Sequence, residues 1–283
     1  MSRFTRRGFL SAASAAVASA PALANLASRA AAPGFLLGCQ TYTFREFDLE
    51  GALKRMKELG IRHAEFYQKH LPLGATGRQL EAFQKLCAEY GVSPRAWGVQ
   101  RFSKDHDGNR KVFDFAKGAG LKVLTADPDP DSFDSLDKCC EEYGIAVAIH
   151  PHGPVGGGKL HRWYDADTIL AAVKDHHRLI GSCMDTGHLI RSAQVGKKLD
   201  PAEQIRKMGK RNFAVHLKDH DNAKKEDVIF GKGVLDVPGV LKALTDVGFS
   251  EMVSIEYEAK PQDPTGDVRE CVAIYNRAVK ELG

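Results

Sequence analysis

The sequence predicts a single-domain α/β protein of the (β/α)8 barrel class, and three observations lead there. Eight short apolar runs alternate with segments of helical periodicity, which implies parallel strands with a helix in each crossover. Three junctions read helix, glycine, strand with no intervening loop: Leu59-Gly60-Ile61, Ala119-Gly120-Leu121 and Tyr143-Gly144-Ile145. Glycine there supplies the left-handed cap that ends a helix. Four of the later apolar runs close on His, Asp or Glu, and in a parallel barrel the strand ends converge on one face and carry the chemistry. An open doubly wound sheet is the alternative, but no Gly-rich phosphate loop follows the first strand, as a dinucleotide site would require.

The elements follow in order. Residues 34–40 read as the first strand, and residues 49–59 have helical periodicity and stop at Gly60. The apolar step 61–66 carries Glu65 and gives way to a loop with His70, Pro72 and Gly74. Residues 80–90 are a helix closed by Gly91, and 92–99 a strand bearing Trp97. Helix 112–119, strand 121–126, helix 133–143 and strand 145–149 continue the alternation. After a His150-Pro151-His152 loop come helix 166–174, strand 179–184, helix 201–208, strand 213–217, helix 237–247, strand 252–257 and a last helix from about Asp267 to Leu282.

The chain has 283 residues, 43% hydrophobic and 27% charged, a size and balance that suit one large domain. Its formal charge of +4 includes Arg3, Arg6 and Arg7 at the extreme N-terminus, so the body is close to neutral and composition gives no support for a nucleic-acid partner. Residues 1–32 read as a signal peptide: a basic start, a short alanine-rich apolar stretch, then Ala22-Leu23-Ala24 or Ala30-Ala31-Ala32 as a cleavage point. Thr5-Arg6-Arg7-Gly8-Phe9-Leu10 resembles the twin-arginine export motif. The expectation is a periplasmic protein exported by that route, without a stable membrane anchor after cleavage, its barrel spanning residues 33–283; the apolar run is shorter than the roughly 20 residues a bilayer needs. The 6 cysteines show no CxxC spacing, which argues against a zinc ribbon or redox pair.

The chemistry centres on Asp185-Thr186-Gly187-His188, where an apolar strand ends in a carboxylate and a histidine follows three residues later. With His150, His216 and Glu256 at neighbouring strand ends, four nitrogen and oxygen donors surround one point. Such a set suits a divalent ion, Mn, Co, Zn or Mg, and the lack of thiolates argues against structural zinc. An ion in an open mouth would hold two adjacent sugar oxygens and favour proton removal beside a carbonyl. Glu256, Lys218, Glu65, His152, His188 and Glu258 are the candidate acid and base groups, and spacing does not choose among them. His152 has a second reading, as a partner that orients His150. Tyr42, Trp97, Arg162, His188 and Glu258 are candidates for the substrate wall.

These residues resemble the xylose-isomerase-like TIM-barrel superfamily of sugar isomerases, ketose 3-epimerases, inosose dehydratases and endonuclease IV. The resemblance covers the chain after the signal and rests on Asp185-Thr186-Gly187-His188, His216-Leu217-Lys218-Asp219, Gly231-Lys232-Gly233 with Asp236, and Ile255-Glu256. It implies a metal-dependent enzyme acting on a keto-sugar or polyol through an enediolate, with a small-molecule sugar as partner and a homo-oligomer as a possible assembly. In the ketose epimerases the ligands are Glu, Asp, His and Glu, and the two glutamates form the acid/base pair; Asp185, His216 and Glu256 match the last three, whereas His150 stands at the first. That difference brings the sequence nearer the inosose dehydratase branch and keeps elimination by a lyase as the second enzymatic reading. A non-catalytic sugar-binding barrel is the third. Endonuclease IV carries an Asp-x-His after the corresponding strand, and here Asp227-Val228-Ile229 lacks the histidine.

Overall fold

A computed structural model describes residues 34–283; the signal segment and its twin-arginine motif lie outside the described residues. The eight barrel strands are β1 (Leu36–Gln40), β2 (His63–Phe66), β3 (Ser93–Gln100), β4 (Val123–Ala126), β5 (Ala146–Ile149), β6 (Ile180–Asp185), β7 (Asn212–Leu217) and β8 (Met252–Ile255). They pair in parallel as a closed barrel, with β1 hydrogen-bonded to both β2 and β8. Helices α1 (Leu49–Glu58), α2 (Arg78–Tyr90), α3 (His106–Gly118), α4 (Phe133–Tyr143) and α5 (Ala166–Val173) cross back over the first five strands. A short α6 (Thr186–Arg191) precedes α7 (Pro201–Met208), and α8 (Val237–Asp246) and α9 (Thr265–Leu282) close the ring. No described helix is long and apolar enough to cross a membrane.

Aspartates start most of these helices. Asp48, Asp105, Asp165, Asp185, Asp200 and Asp236 each accept a backbone N–H of the first turn, the cap that a helix N-terminus needs. The Asp105 cap explains why α3 begins at His106 and not near Val112: its first turn is polar, so hydrophobic periodicity alone misses it. Gly60, Gly120 and Gly144 adopt φ of 73°, 75° and 65°, as the junctions predict. Strands β1, β2 and β4 begin two residues later than expected, and β8 stops at Ile255, not Tyr257, which puts Glu256 and Glu258 on the loop that leaves the strand.

Barrel strands pack at two radii. Outside, Leu53, Met56, Phe113, Leu136, Ile205 and Leu241 are fully buried between sheet and helices. Inside the lower barrel the residues are small, with Ala96, Ala148, Cys183 and Ala214 forming a separate cluster with Met252. Gly181 is required there, since a Cβ would stand 2.1 Å from the Arg211 carbonyl.

All 6 cysteines are buried and unpaired. Burial pushes the thiols up, Cys39, Cys87 and Cys183 to about 12, so almost no thiolate exists at pH 8, and the thiolate is the nucleophile. The native protein is therefore expected to resist a thiol reagent at pH 8 and to titrate fully only in denaturant. Rapid labelling of the folded protein would contradict this packing.

Candidate functional site

The four sequence-predicted ligands meet at the C-terminal mouth of the barrel. His150, Asp185, His216 and Glu256 each offer one donor atom, all within 4.8 Å of one another, and all four residues are buried. His150 Nε2 lies 3.1 Å from His216 Nδ1 and 3.4 Å from Asp185 Oδ2. His216 Nδ1 is 3.2 Å from Glu256 Oε2 and 3.7 Å from Asp185 Oδ2. Donors bonded at about 2.1 Å to one ion stand about 3.0 Å apart at right angles and about 3.4 Å apart at the tetrahedral angle, and three of these four distances fall close to that range.

The hydrogen bonds fix which lone pairs face inward. His216 Nε2 lies 2.8 Å from Glu65 Oε2 and donates there; burial alone would lower the ring's pKa, but Cys183, Glu65 and Glu256 outweigh that and hold it well above the usual histidine range, so an ion bound at Nδ1 takes the place of a proton. Asp185 Oδ2 and Glu256 Oε2 are buried and accept no well-directed hydrogen bond, although charged nitrogens approach both. Buried acceptors of this kind are costly when left alone. A bound cation satisfies all four at once, so the residues fit a divalent ion.

The Asp185-Thr186-Gly187-His188 motif builds this arrangement residue by residue. Asp185 Oδ1 accepts the His188 N–H at 2.7 Å and so caps α6 while Oδ2 faces the site. Thr186 Oγ1 accepts the Lys218 N–H at 2.9 Å and donates to the Lys218 carbonyl at 2.7 Å, tying β6 to β7. A Cβ at Gly187 would sit 2.6 Å from Lys218 Cδ, so only glycine lets the lysine stem pass.

Two residues read as acid/base groups lie beneath the mouth. Glu65 is fully buried and accepts from Gln40 Nε2 at 2.8 Å, from Thr125 Oγ1 and from His216. It reaches no cavity and orients His216, the carboxylate–histidine pairing that sets a ligand's tautomer. Lys218 is 1% exposed, with Nζ 2.8 Å from Glu256 Oε2, 3.3 Å from Asp185 Oδ2 and 2.5 Å from Glu258 Oε1. Burial alone would lower its pKa, but Asp185, Glu256 and Glu258 outweigh that and hold it well above the lysine range. A lysine so held is a permanent cation, not a base. Burial likewise would raise Glu256, yet Lys218 and His216 pull it down to about 2, so the carboxylate is ionised and ready to ligate.

Above the ligands opens a cavity of about 440 Å³. Tyr42, His152, His188 and Glu258, all expected at the substrate, line it together with His150 and Glu256. His152 is pushed down to about 3 by burial and by the neighbouring His150 and His161, so its ring is neutral. His188 is lowered well below the usual histidine range, chiefly by burial, and its Nδ1 accepts the Gly153 N–H at 2.9 Å. The neutral ring therefore carries its proton on Nε2. His150, His152 and His188 also come within ligand distance of one another, but that Nε2–H makes His188 a hydrogen-bond donor, not a ligand.

Two wall assignments are corrected. Trp97 is 2% exposed, packs edge-on against Phe115 and donates Nε1–H to the Leu71 carbonyl at 2.9 Å; it belongs to the core, because the β3 side chain faces the helices. Arg162 spends its donors on Asp127, at 2.8 and 3.1 Å, and on Asp129 at 2.9 Å, outside the cavity lining. Sequence reasoning missed Gln40, Tyr67, Gln68 and Arg191, which do line the cavity. Gln40 ends β1, Tyr67 and Gln68 follow β2, and Arg191 lies one helical turn after His188.

Asp219, which follows Lys218, has a structural task. Its carboxylate accepts the backbone N–H groups of His220, Gly231, Gly233, Val234 and Leu235 at 2.8–3.0 Å, and so clamps the Gly231-Lys232-Gly233 loop against the barrel. Asp219→Ala would strand these donors and is expected to cost about 3 kcal/mol or more, read from urea unfolding. A loss below about 1 kcal/mol would mean that water replaces the carboxylate.

Comparison with known proteins agrees with this architecture. Residues 127–276 match the family model described as xylose isomerase-like TIM barrel. No curated protein matches the chain. Among solved structures, an uncharacterised protein from Parabacteroides distasonis is 25% identical, with a TM-score of 0.66 over 86% of this chain and 99% of that one. A D-tagatose 3-epimerase-like protein is 18% identical, TM-score 0.67, over 87% and 99% of the two chains. A xylose isomerase-like TIM barrel protein from Mycobacterium smegmatis, solved in complex with magnesium, is 13% identical, TM-score 0.67, over 88% and 97%. With the closed barrel, the converging donor set and a family match over more than half its length, the chain belongs to the xylose isomerase-like TIM barrel family.

Proposed function

We propose that the protein is a metal-dependent enzyme of the sugar isomerase/epimerase type that removes a proton beside the carbonyl of a keto-sugar or related polyol. The observation that carries this reading is the convergence of His150, Asp185, His216 and Glu256, with two buried carboxylate oxygens lacking directed partners, beneath an open cavity. A Mn, Co, Zn or Mg ion bound there supplies a Lewis acid beside the reacting oxygens. The epimerase-like and magnesium-containing structural neighbours support the same reading.

The chain's own groups divide the remaining work. Lys218 keeps Asp185 and Glu256 ionised and holds Glu258 in place without touching the substrate. His188 donates its Nε2–H to a substrate oxygen, and Tyr42 and His152 bound the sugar. Glu258 takes the proton: it lines the cavity and its Oε1 is anchored by Lys218 at 2.5 Å. Glu258→Gln should then lower the rate of proton removal by about 10²–10⁴ while the protein still binds Mn²⁺; undiminished exchange would move the base elsewhere.

A second reading, elimination by a keto-sugar dehydratase or lyase, is favoured by one feature. His150 stands where a second glutamate would complete a symmetric acid/base pair, so a carboxylate base is offered from the β8 side alone. Loss of a β-hydroxyl or alkoxide after one proton removal needs only that.

The test is proton exchange. Mn²⁺-loaded protein in deuterated water with ketoses, inososes and 3-keto-glycosides is expected to place deuterium at the carbon next to the carbonyl, followed by NMR, and the accompanying product separates isomerase from lyase. No exchange with any of them, in protein that holds its ion, would favour a sugar-binding role. From the Thr5-Arg6-Arg7-Gly8-Phe9-Leu10 motif we further propose that the protein acts in the periplasm after twin-arginine export, which cellular fractionation of a tagged full chain checks.

A further inference from the structure

We infer that the substrate carries an oxyanion, a carboxylate or a phosphate, and that Arg191 is the residue that selects it; this rests on the reading of the mouth as a sugar site. Arg191 ends α6 and lines two adjoining cavities: the mouth above the ligand set, and a second cleft of about 560 Å³. Glu258 is the other residue common to both linings. The two spaces therefore meet at this pair, and a substituent on a sugar in the mouth has a path into the cleft.

The charges at the junction leave Arg191 without a counterion. Its Nε is buried and has no hydrogen-bond partner, and its guanidinium forms no ion pair among the described residues. Glu258 is taken by Lys218 at 2.5 Å. Asp227 is held by His220 at 2.8 Å, and Lys260 by Asp267 at 2.8 Å. Of the charged residues lining the cleft, Arg191, Lys225 and Glu226 form no ion pair among the described residues, and Arg191 alone of these also lines the mouth. A buried Nε–H without an acceptor is costly, and the planar fork of donors that carries it into the cavities matches a carboxylate or phosphate bidentately. The mouth adds no opposing charge once filled: Asp185, Glu256 and Glu258 are balanced by Lys218 together with a divalent ion. A neutral sugar would leave Arg191 as it is now, whereas an acidic one neutralises it.

Calorimetric titration of the Mn²⁺-loaded protein tests this at low salt, with uronates and sugar phosphates as acidic probes and the matching neutral sugars as controls. One acidic class is expected to bind about 10-fold to 100-fold tighter than its neutral counterpart, the range of a charge-assisted bidentate contact, and which class does so identifies the oxyanion. Arg191→Met should erase that ratio without changing Mn²⁺ affinity or the circular dichroism spectrum, and Arg191→Lys should restore part of it. Equal affinity for acidic and neutral sugars, binding by neither acidic class, or a ratio that survives Arg191→Met would each overturn the assignment. Deuterium exchange on a neutral ketose would still stand in those cases, so this failure is distinct from failure of the enolisation reading.

Discussion

Asp185→Ala is expected to abolish divalent-ion binding and, with it, proton exchange. One carboxylate does two jobs: Oδ2 faces the other three donors and Oδ1 caps α6 through the His188 N–H at 2.7 Å. Outer partners of metal ligands already cost 10-fold to 100-fold in affinity when removed, so loss of a ligand should cost more than about a hundredfold. The alanine also releases the helix cap, about 1 kcal/mol, and frees His188 from its position at the mouth. Asp185→Asn separates the two effects, since its amide oxygen can still cap while its charge is gone. Both variants should lose Mn²⁺, and only the alanine should lose the cap's stability. Wild-type Mn²⁺ affinity in either would remove Asp185 from the site.

Lys218→Met should be the most destabilising change at the mouth, by about 3–5 kcal/mol in metal-free protein, because it leaves buried carboxylates without their partner. Two of them, Asp185 and Glu256, and the half-buried Glu258 face Nζ within 3.3 Å. The same variant should gain more stability from Mn²⁺ than the wild type does, since binding to the folded state alone stabilises it and the vacated negative charge favours the ion. Urea unfolding with and without Mn²⁺ reads both numbers. Equal metal-induced stabilisation in the two proteins would mean that the ammonium and the ion do not share the same carboxylates.

The four convergent donors were legible in the sequence because a buried parallel strand is apolar along its length, so a His, Asp or Glu where it ends stands out. His150, Asp185, His216 and Glu256 were all found in this way. Glu65 was visible as a candidate but its role was not: a carboxylate within a strand looks the same whether it faces the mouth or lies one layer below. Its full burial and its hydrogen bonds with Gln40, Thr125 and His216 place it behind His216. Trp97 and Arg162 failed for a related reason. Residue type tells what a side chain can bind, but not that the Leu71 carbonyl or the Asp127 and Asp129 carboxylates already hold it. Lys218 and Asp219 are adjacent, yet they turn to opposite tasks, one facing the ligands and the other the Gly231–Leu235 backbone, because successive side chains at a strand end alternate.

The account stands on one claim, that the four convergent donors hold a divalent ion, and anomalous diffraction from crystals grown with Mn²⁺ tests it most directly. The expected result is a single strong anomalous peak at the mouth, with His150 Nε2, Asp185 Oδ2, His216 Nδ1 and Glu256 Oε2 as its protein ligands. A peak among His150, His152 and His188 would contradict it, and so would no peak at all with the Lys218 ammonium left as the only cation among the carboxylates.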